Sequence, residues 1–195
     1  VLNVEKTTDK PFYKYGDIIT YRIVLTQEQT GCVARNVTLQ DVIDTQGVRL
    51  LKDSVILMDE KGNVADADVQ INDDNTFLMS TGRTLVRDSR YSICDNDKGG
   101  LFEQVMYNPL DCQEQKSMIV EYQAAVIDAA LAGQKVHNTA VADSSEKIPA
   151  TGETETEVHS PILEIVKESD KKEYASGEKG YYKLTVRQLR EDVTD

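Results

Sequence analysis

The sequence predicts an all-β protein, folded as an antiparallel β-sandwich, on three observations. Short stretches in which apolar and polar residues alternate recur along the chain, and this period of two is typical of strands with one buried face. Turn-forming residues separate the stretches, and no segment has the longer period of an amphipathic helix. The third observation is a repeat, because residues 2–21 and 163–182 align without a gap. Such a repeat predicts a tandem array, with the truncated start of a second copy at the end of this chain.

The first strand is predicted at residues 2–6. Leu2, Val4 and Lys6 share one of its faces, because successive side chains of a strand point to opposite sides. A strand lysine ordinarily belongs on the face in water, but this one shares a face with two apolar residues. The second copy keeps the same arrangement, in Leu163, Ile165 and Lys167.

The same alternation, bounded by turns, predicts the other strands of the first copy. They are expected at residues 18–26, 33–43, 55–58, 69–71, 76–79, 118–126, 136–142 and 154–158. Two polar loops, at 59–63 and 72–75, are typical of hairpins. A short helical turn is expected at 128–133, closed by a glycine, and residues 149–152 are interpreted as a turn before the last strand.

The repeat also predicts the domain organisation. Residues 1–160 are expected to form one complete repeat, and residues 161–195 the first strands of a second, incomplete one. On this interpretation the chain is a piece of a longer protein, and neighbouring repeats of that protein are its expected partners. No apolar run approaches the ~20 residues that span a bilayer, so membrane attachment is expected only through regions outside this fragment.

Composition and charge argue against several classes of function. Hydrophobic residues make up 39% of the chain and charged residues 29%, so a core can form without a cofactor, and none is predicted. The formal net charge of -12 repels phosphate backbones, which argues against nucleic acid as a partner. Neither His137 nor His159 has a metal-ligand spacing with the cysteines, and residues 95–106 lack the final glutamate of a calcium loop. No metal site is predicted.

The cysteines leave two possibilities open. Cys94 and Cys112 bracket a loop-rich segment and could form a disulfide, which would leave Cys32 free. Three free thiols are the alternative, because connectivity cannot be deduced from sequence alone.

Three polar residues lie on strand faces that are otherwise apolar: Lys6, Asp41 and Asn138. Buried amines, carboxylates and amides are costly unless each has a partner, so a meeting of the three would satisfy them all. One possible outcome is a buried salt bridge with the amide alongside. The other is a covalent cross-link, in which the Lys6 amine attacks the Asn138 side-chain amide and expels ammonia.

Burial supplies the chemistry that such a cross-link needs. A buried lysine is more easily neutral and can act as a nucleophile, and a buried aspartate has a raised pKa and can supply a proton to the amide. Folding holds the groups together, which gives the effective concentration that an amide requires. The sequence carries no motif for turnover catalysis, so a single self-reaction is expected and the protein is not expected to be an enzyme.

Four blocks of the sequence resemble the isopeptide-forming repeat domains of bacterial surface proteins. These domains include the D2-type domains of fimbrial pilins and the stalk repeats of collagen-adhesin-like proteins. The blocks are residues 2–6, 15–21, 36–41 and 137–141, and their order carries the resemblance over most of residues 1–160. The sequence departs from the family in its loops, chiefly at 27–31 and around Cys94.

The resemblance implies an immunoglobulin-like sandwich in which a first-strand lysine is joined to an asparagine of a late strand, with an acid assisting. At the matching positions these residues are Lys6, Asn138 and Asp41, and an aspartate in this role is similar to the A-type domains of collagen adhesins. The implied function is a structural stalk or spacer repeat of an adhesin or pilus protein, displayed on the bacterial cell surface or cell wall. Lys167 would be the equivalent lysine of the second copy, and we expect it to stay unlinked.

A ligand-binding module is the alternative function. In this hypothesis the irregular segment 82–115 presents Tyr91, Phe102 and Tyr107 to a host glycan or matrix protein. Packing of these rings inside the fold is the commoner arrangement for aromatic residues. The two functions can coexist in one adhesin.

Overall fold

The structure is a computed structural model that describes residues 1–29, 32–87, 114–160 and 163–189. These residues form 17 strands and no α-helix, so the predicted all-β class is confirmed. The strands are β1 (Leu2–Thr8), β2 (Phe12–Tyr13), β3 (Ile18–Gln27), β4 (Val33–Ala34), β5 (Thr38–Ile43), β6 (Val48–Leu50), β7 (Ile56–Met58), β8 (Val64–Ala65), β9 (Asp68–Ile71), β10 (Thr76–Ser80), β11 (Thr84–Val86), β12 (Glu114–Gln115), β13 (Ser117–Val126), β14 (Lys135–Asp143), β15 (Ala150–Val158), β16 (Leu163–Ser169) and β17 (Tyr182–Gln188). Within the described ranges, no helix is long and apolar enough to cross a membrane.

Two sheets form the sandwich. The first has the strand order β1-β3-β13-β7-β8, with β6 also paired to β13, and the second has the order β2-β15-β14-β5-β10-β9. Their pairings are antiparallel except that β2 pairs with β15 in parallel. Apolar side chains from both sheets form one buried cluster. The predicted immunoglobulin-like antiparallel sandwich is therefore confirmed.

The central strands of the first sheet show how the alternation in the sequence maps onto the core. On β3 the buried apolar residues are Ile19, Tyr21, Ile23 and Leu25, and the residues between them are at least partly exposed. On β13 the buried residues are Met118, Val120, Tyr122, Ala124 and Val126. β3 and β13 pair over nine residues from Ser117 to Ala125, which aligns the two buried faces. The two strands therefore present one continuous apolar surface to the opposite sheet.

The prediction of one continuous strand at residues 33–43 is wrong. This segment is divided into β4 and β5, because Asn36 has a positive φ of 49° that ends regular pairing. Asparagine tolerates this left-handed conformation better than most residues do. Val37, the next residue, bonds instead to a neighbouring loop: its N–H donates to Arg83 O and its carbonyl accepts from Thr81 N–H, both at 3.1 Å.

The turn predicted at residues 149–152 is also wrong. β15 begins at Ala150, and the turn lies earlier, where the Lys147 N–H donates to Ser144 O at 2.9 Å. Gly152 lies inside the strand, at a point where β1 approaches closely: a Cβ built on it would lie 2.6 Å from the carbonyl oxygen of Val4. Glycine is required here by the contact between strands of opposite sheets and not by a turn.

The shorter predicted features agree with the structure. β7 pairs with β8, and β9 with β10, as the two predicted hairpins. The helical turn is a single 3-10 turn, Ala129–Leu131, followed by Gly133 with a positive φ of 83°. Asp128 caps this turn by accepting a hydrogen bond from the Ala130 N–H at 2.8 Å.

The second copy repeats the hydrogen bonds of the first. β16 and β17 pair in antiparallel fashion, in the register that β1 and β3 adopt: Lys6 lies opposite Ile23, and Lys167 opposite Leu184. In the first copy, Asp9 Oδ1 accepts hydrogen bonds from Tyr13 Oη at 2.5 Å and from the Thr20 N–H at 2.8 Å. The second copy forms both bonds with the equivalent residues, Asp170, Tyr174 and Tyr181.

Candidate cross-linking site

Lys6 reaches the interior of the sandwich from an edge strand. Along β1 the residues alternate between buried and exposed, and Lys6 follows Leu2 and Val4 on the buried face. None of its side-chain surface is exposed. Its Nζ atom forms an ion pair with Asp41 and donates a hydrogen bond of 2.6 Å to Asn138 Oδ1. The structure therefore places the predicted lysine, aspartate and asparagine together.

Asp41 and Asn138 come from neighbouring strands of the opposite sheet. β5 and β14 pair so that Asp41 lies opposite Ala140, while Asn138 lies opposite Ile43. The two polar residues are diagonal neighbours on the inner face, within reach of the same side chain. Each is only 1% exposed. The register of this strand pair, together with the position of β1 across the core, sets the geometry of the site.

Tyr122 is a fourth member of the cluster, and it was missed in the sequence analysis. It lies on β13, and its hydroxyl donates a hydrogen bond of 2.6 Å to Asp41 Oδ1. The same hydroxyl accepts a hydrogen bond of 2.5 Å from Asn138 Nδ2. One signal could have found it: the alternation predicted for this strand puts Tyr122 on the apolar face, where a phenol hydroxyl needs a polar partner.

Aromatic rings enclose the four polar residues. The Tyr21 and Tyr122 rings stack at a centroid distance of 5.0 Å, and Phe77 meets Tyr122 edge-on at 5.1 Å. Lys6 Nζ lies 5.5 Å from the centre of the Tyr21 ring. The Tyr21 hydroxyl is buried and has no hydrogen-bond partner among the described residues. The rings exclude water from the site, which strengthens every electrostatic interaction inside it.

Burial changes the acidity of the groups in the site. It lowers the pKa of Lys6 to about 8, although the neighbouring Asp41 acts in the opposite direction. It raises the pKa of Asp41 above its ordinary value, against the influence of Lys6 and of the hydrogen bonds to the carboxylate. It also raises the pKa of Tyr122 well above the ordinary value. Both shifts of the Lys6–Asp41 pair favour its neutral form, an amine beside a carboxylic acid.

Such a neutral pair has the components of an acyl-transfer reaction. The amine is the nucleophile, and the side-chain amide of Asn138 is the electrophile. The carboxylic acid can donate a proton to the amide and take one from the attacking amine. Every group is held by folding alone. The reaction would consume the Lys6 amine and the Asn138 amide, so it could occur only once in each chain.

The remaining predicted residues lie elsewhere. Lys167 is exposed on β16, and its Nζ atom lies 4.4 Å from the centre of the Tyr182 ring. Cys32 is a free, partly buried cysteine. The described ranges do not include Cys94 and Cys112, so the disulfide hypothesis stays a prediction. They do not include Tyr91, Phe102 or Tyr107 either, so the ligand-binding hypothesis also stays a prediction. In the part of the chain that the structure describes, no group of three or more His, Cys, Asp or Glu residues could hold a metal ion.

Comparison with solved structures identifies the type of sandwich. The major pilin subunit BcpA of Bacillus cereus superposes with a TM-score of 0.52 and 12% identity, over 86% of this chain and 42% of that subunit. A variant of the same subunit gives a TM-score of 0.52 and 11% identity, over 84% of this chain and 42% of the other. The fold is that of a major pilin domain.

The likeness to pilins is low in sequence identity and covers only part of each pilin. The T6 backbone pilin of Streptococcus pyogenes serotype M6 matches with a TM-score of 0.49 and 14% identity, over 86% of this chain and 36% of that pilin. No protein-family model and no curated protein matches the chain. The chain spans less than half the length of the pilin subunits that it resembles. Identities this low concern the fold alone, and at that level the resemblance deduced from the sequence is confirmed.

Proposed function

We propose that this chain is a structural module of a bacterial surface protein, the shaft of a pilus or the stalk of an adhesin, stapled by an isopeptide bond between Lys6 and Asn138. The observation that carries the proposal is the buried contact between the Lys6 amine and the Asn138 amide, with Asp41 bonded to the same amine. The pilin-type fold is compatible with this role and with display on the outside of the cell.

The proposed reaction needs no added reagent. One proton passes from Lys6 to Asp41, and the neutral amine attacks Cγ of Asn138. The Cγ–Nδ2 bond then breaks, and the nitrogen leaves as ammonia. The product is an amide between Lys6 and Asn138 beside a protonated Asp41, so the atoms and the charge balance. The protein carries out this step on itself and is not proposed to turn over a substrate.

The staple would stabilise the sandwich and bear load. Lys6 and Asn138 are 132 positions apart, and closing a loop of this length with a disulfide is worth on the order of 4–5 kcal/mol of unfolded-state entropy. The bond would also connect β1, where force enters the sandwich, to β14, which lies beside the last long strand. Force applied to the two ends of the sandwich would then be transmitted through the bond, and most strands would carry no load.

Intact-mass spectrometry tests the proposal. We expect the purified chain to be lighter than its sequence by one ammonia, and we expect a branched peptide joining Lys6 to Asn138 after proteolysis. Asp41→Asn keeps the shape of the side chain but cannot exchange the proton, so it should slow the reaction by about 10²-fold or more. A wild-type chain of unreduced mass would contradict the proposal and would leave a buried ion pair as the function of these residues.

A further inference from the structure

Tyr122 connects the two nitrogen atoms that exchange places in the proposed reaction. Lys6 Nζ, the entering nitrogen, donates to Asp41 Oδ2. The other oxygen of that carboxyl group, Oδ1, accepts from Tyr122 Oη at 2.6 Å. The same Oη accepts from Asn138 Nδ2, the departing nitrogen, at 2.5 Å. A continuous line of hydrogen bonds therefore runs from the attacking amine to the leaving group.

We propose that Tyr122 is a catalytic residue of the cross-linking reaction, and that its hydroxyl relays a proton from Asp41 to the nitrogen of Asn138 that leaves as ammonia. This proposal rests on the proposed isopeptide function and adds to it the route of the proton. It assigns the two oxygens of Asp41 to different tasks. Oδ2 takes a proton from the attacking amine, and Oδ1 gives a proton to the tyrosine.

The leaving group explains why a relay is needed. An amide nitrogen is a poor leaving group until it is protonated, so a proton must reach Asn138 Nδ2 as the Cγ–Nδ2 bond breaks. In the structure that nitrogen is bonded to the Tyr122 hydroxyl, which in turn is bonded to the acid. Before attack, Nδ2 donates to the hydroxyl and the hydroxyl donates to Asp41. Once attack has freed the lone pair of Nδ2, the same contacts place the tyrosine to deliver a proton to that nitrogen.

The proton balance closes over the four residues. After attack, the former Lys6 amine carries two hydrogens and a positive charge, and the amide oxygen carries a negative charge. Attack frees the lone pair of Nδ2, so the two hydrogen bonds of the tyrosine can reverse. With the acid proton of Asp41 on Oδ1, Tyr122 gives its hydroxyl proton to Nδ2 and regains that acid proton, while Asp41 Oδ2 takes a proton from Nζ. The carbonyl re-forms and ammonia departs. Tyr122 and Asp41 both end protonated, so the relay creates no lasting charge in the dry site.

The surroundings of Tyr122 suit it to this task. Its ring is held between Tyr21 and Phe77, and the residue is 1% exposed, so its hydroxyl has a fixed direction. Burial and the negative charge of Asp41 raise the pKa of Tyr122, which keeps the phenol protonated before and after the reaction. A group that gives one proton and takes another in the same step does not need to ionise stably.

Tyr13 offers a matched control. It is also fully buried, and its hydroxyl also donates to an aspartate, but that residue is Asp9, outside the site. Unlinked chains purified in denaturant would be refolded, quenched with acid at intervals and weighed by mass spectrometry. We expect Tyr122→Phe to lose ammonia about 10²-fold more slowly than wild type, and Tyr13→Phe to react at close to the wild-type rate. Equal rates for Tyr122→Phe and wild type would overturn the relay.

A second variant separates catalysis from packing. A fluorinated tyrosine at position 122 keeps the ring and the hydroxyl but makes the phenol more acidic. Because the hydroxyl and its hydrogen bonds are kept, this variant can be measured even if Tyr122→Phe does not fold. A rate that changes with the acidity of the phenol supports the relay, and an unchanged rate overturns it. Failure of the relay is distinct from failure of the proposed function, because in the former case wild type still loses ammonia, and in the latter it does not.

Discussion

Lys6 donates a hydrogen bond of 2.6 Å to Asn138, a residue 132 positions further along the chain. Lys6 belongs to the edge strand of one sheet and Asn138 to an inner strand of the other, so the contact crosses the core. No hydrogen-bonded ladder joins the two sheets there, and without a covalent bond β1 is held to the opposite sheet by packing and by this polar cluster. A covalent bond at this position would therefore join the two sheets directly.

Removal of the Lys6 amine should abolish the cross-link. Lys6→Met keeps a long apolar side chain in the core, and we expect this variant to retain the mass of the full sequence. We also expect it to lose on the order of 4–5 kcal/mol of unfolding free energy with the constraint on the unfolded chain. Intact mass and denaturant unfolding measure both effects. Lys167→Met makes the same change at the equivalent position of the second copy, where the lysine is exposed, and should alter neither quantity.

The rate of cross-linking should fall above about pH 8. The reactive pair of Lys6 and Asp41 holds one shared proton, and burial lowers the pKa of the lysine to about 8. Above that pH the pair loses this proton, and with it the acid that the amide requires. As the pH falls through the raised pKa of Asp41, a second proton enters the pair, and the amine is held in its charged, unreactive form. Refolding of unlinked chains across a pH series should therefore give a bell-shaped profile, whereas a rate that rises steadily with pH would show that no acid is needed.

Gly152→Ala should weaken both the sandwich and the cross-link. The new methyl group would lie 2.6 Å from the Val4 carbonyl oxygen, so β1 would have to move away from β15. Overpacking of this kind costs about 1–3 kcal/mol. Since Lys6 follows Val4 on the same face, the shift should also slow the loss of ammonia. Thr151→Ala, at an exposed neighbouring position of the same strand, is the control. Wild-type stability in Gly152→Ala would mean that the two strands can separate without cost.

Force spectroscopy should show a segment that does not extend. When the chain is pulled by its ends, the linked protein should lengthen less than Lys6→Met, because the strands between the linked residues carry no load. The difference should be roughly 450 Å, since 132 positions separate the two residues at an extended spacing of about 3.4 Å each. Lys167→Met should extend as wild type does. Equal extension of wild type and Lys6→Met would contradict the staple.

Particular residues show how far the sequence could predict the fold and the site. The repeat in the sequence has a counterpart in the structure: β16 pairs with β17 in the register of β1 with β3, and equivalent residues of the two copies make the same hydrogen bonds. Gly152 misled the interpretation, since glycine marks turns and close contacts alike and the sequence does not distinguish them. Asn36 interrupted a strand that alternation alone would have continued, because periodicity carries no information about φ.

The sequence by itself determined which side chains share an apolar strand face. It did not determine which of these faces is covered, because the equivalent face of the second copy, with Leu163, Ile165 and Lys167, is exposed. The alternation along each strand places Lys6, Asp41 and Asn138 on apolar faces, and burial alone accounts for the direction of the lysine and aspartate pKa shifts. Only the tertiary structure decided which side chains meet. A period of two assigns a residue to one face of a sheet, but its neighbours across the core depend on how the two sheets stack. For this reason Tyr122, which comes from the opposite sheet to Asp41 and Asn138, was recognised as part of the site only in the folded chain.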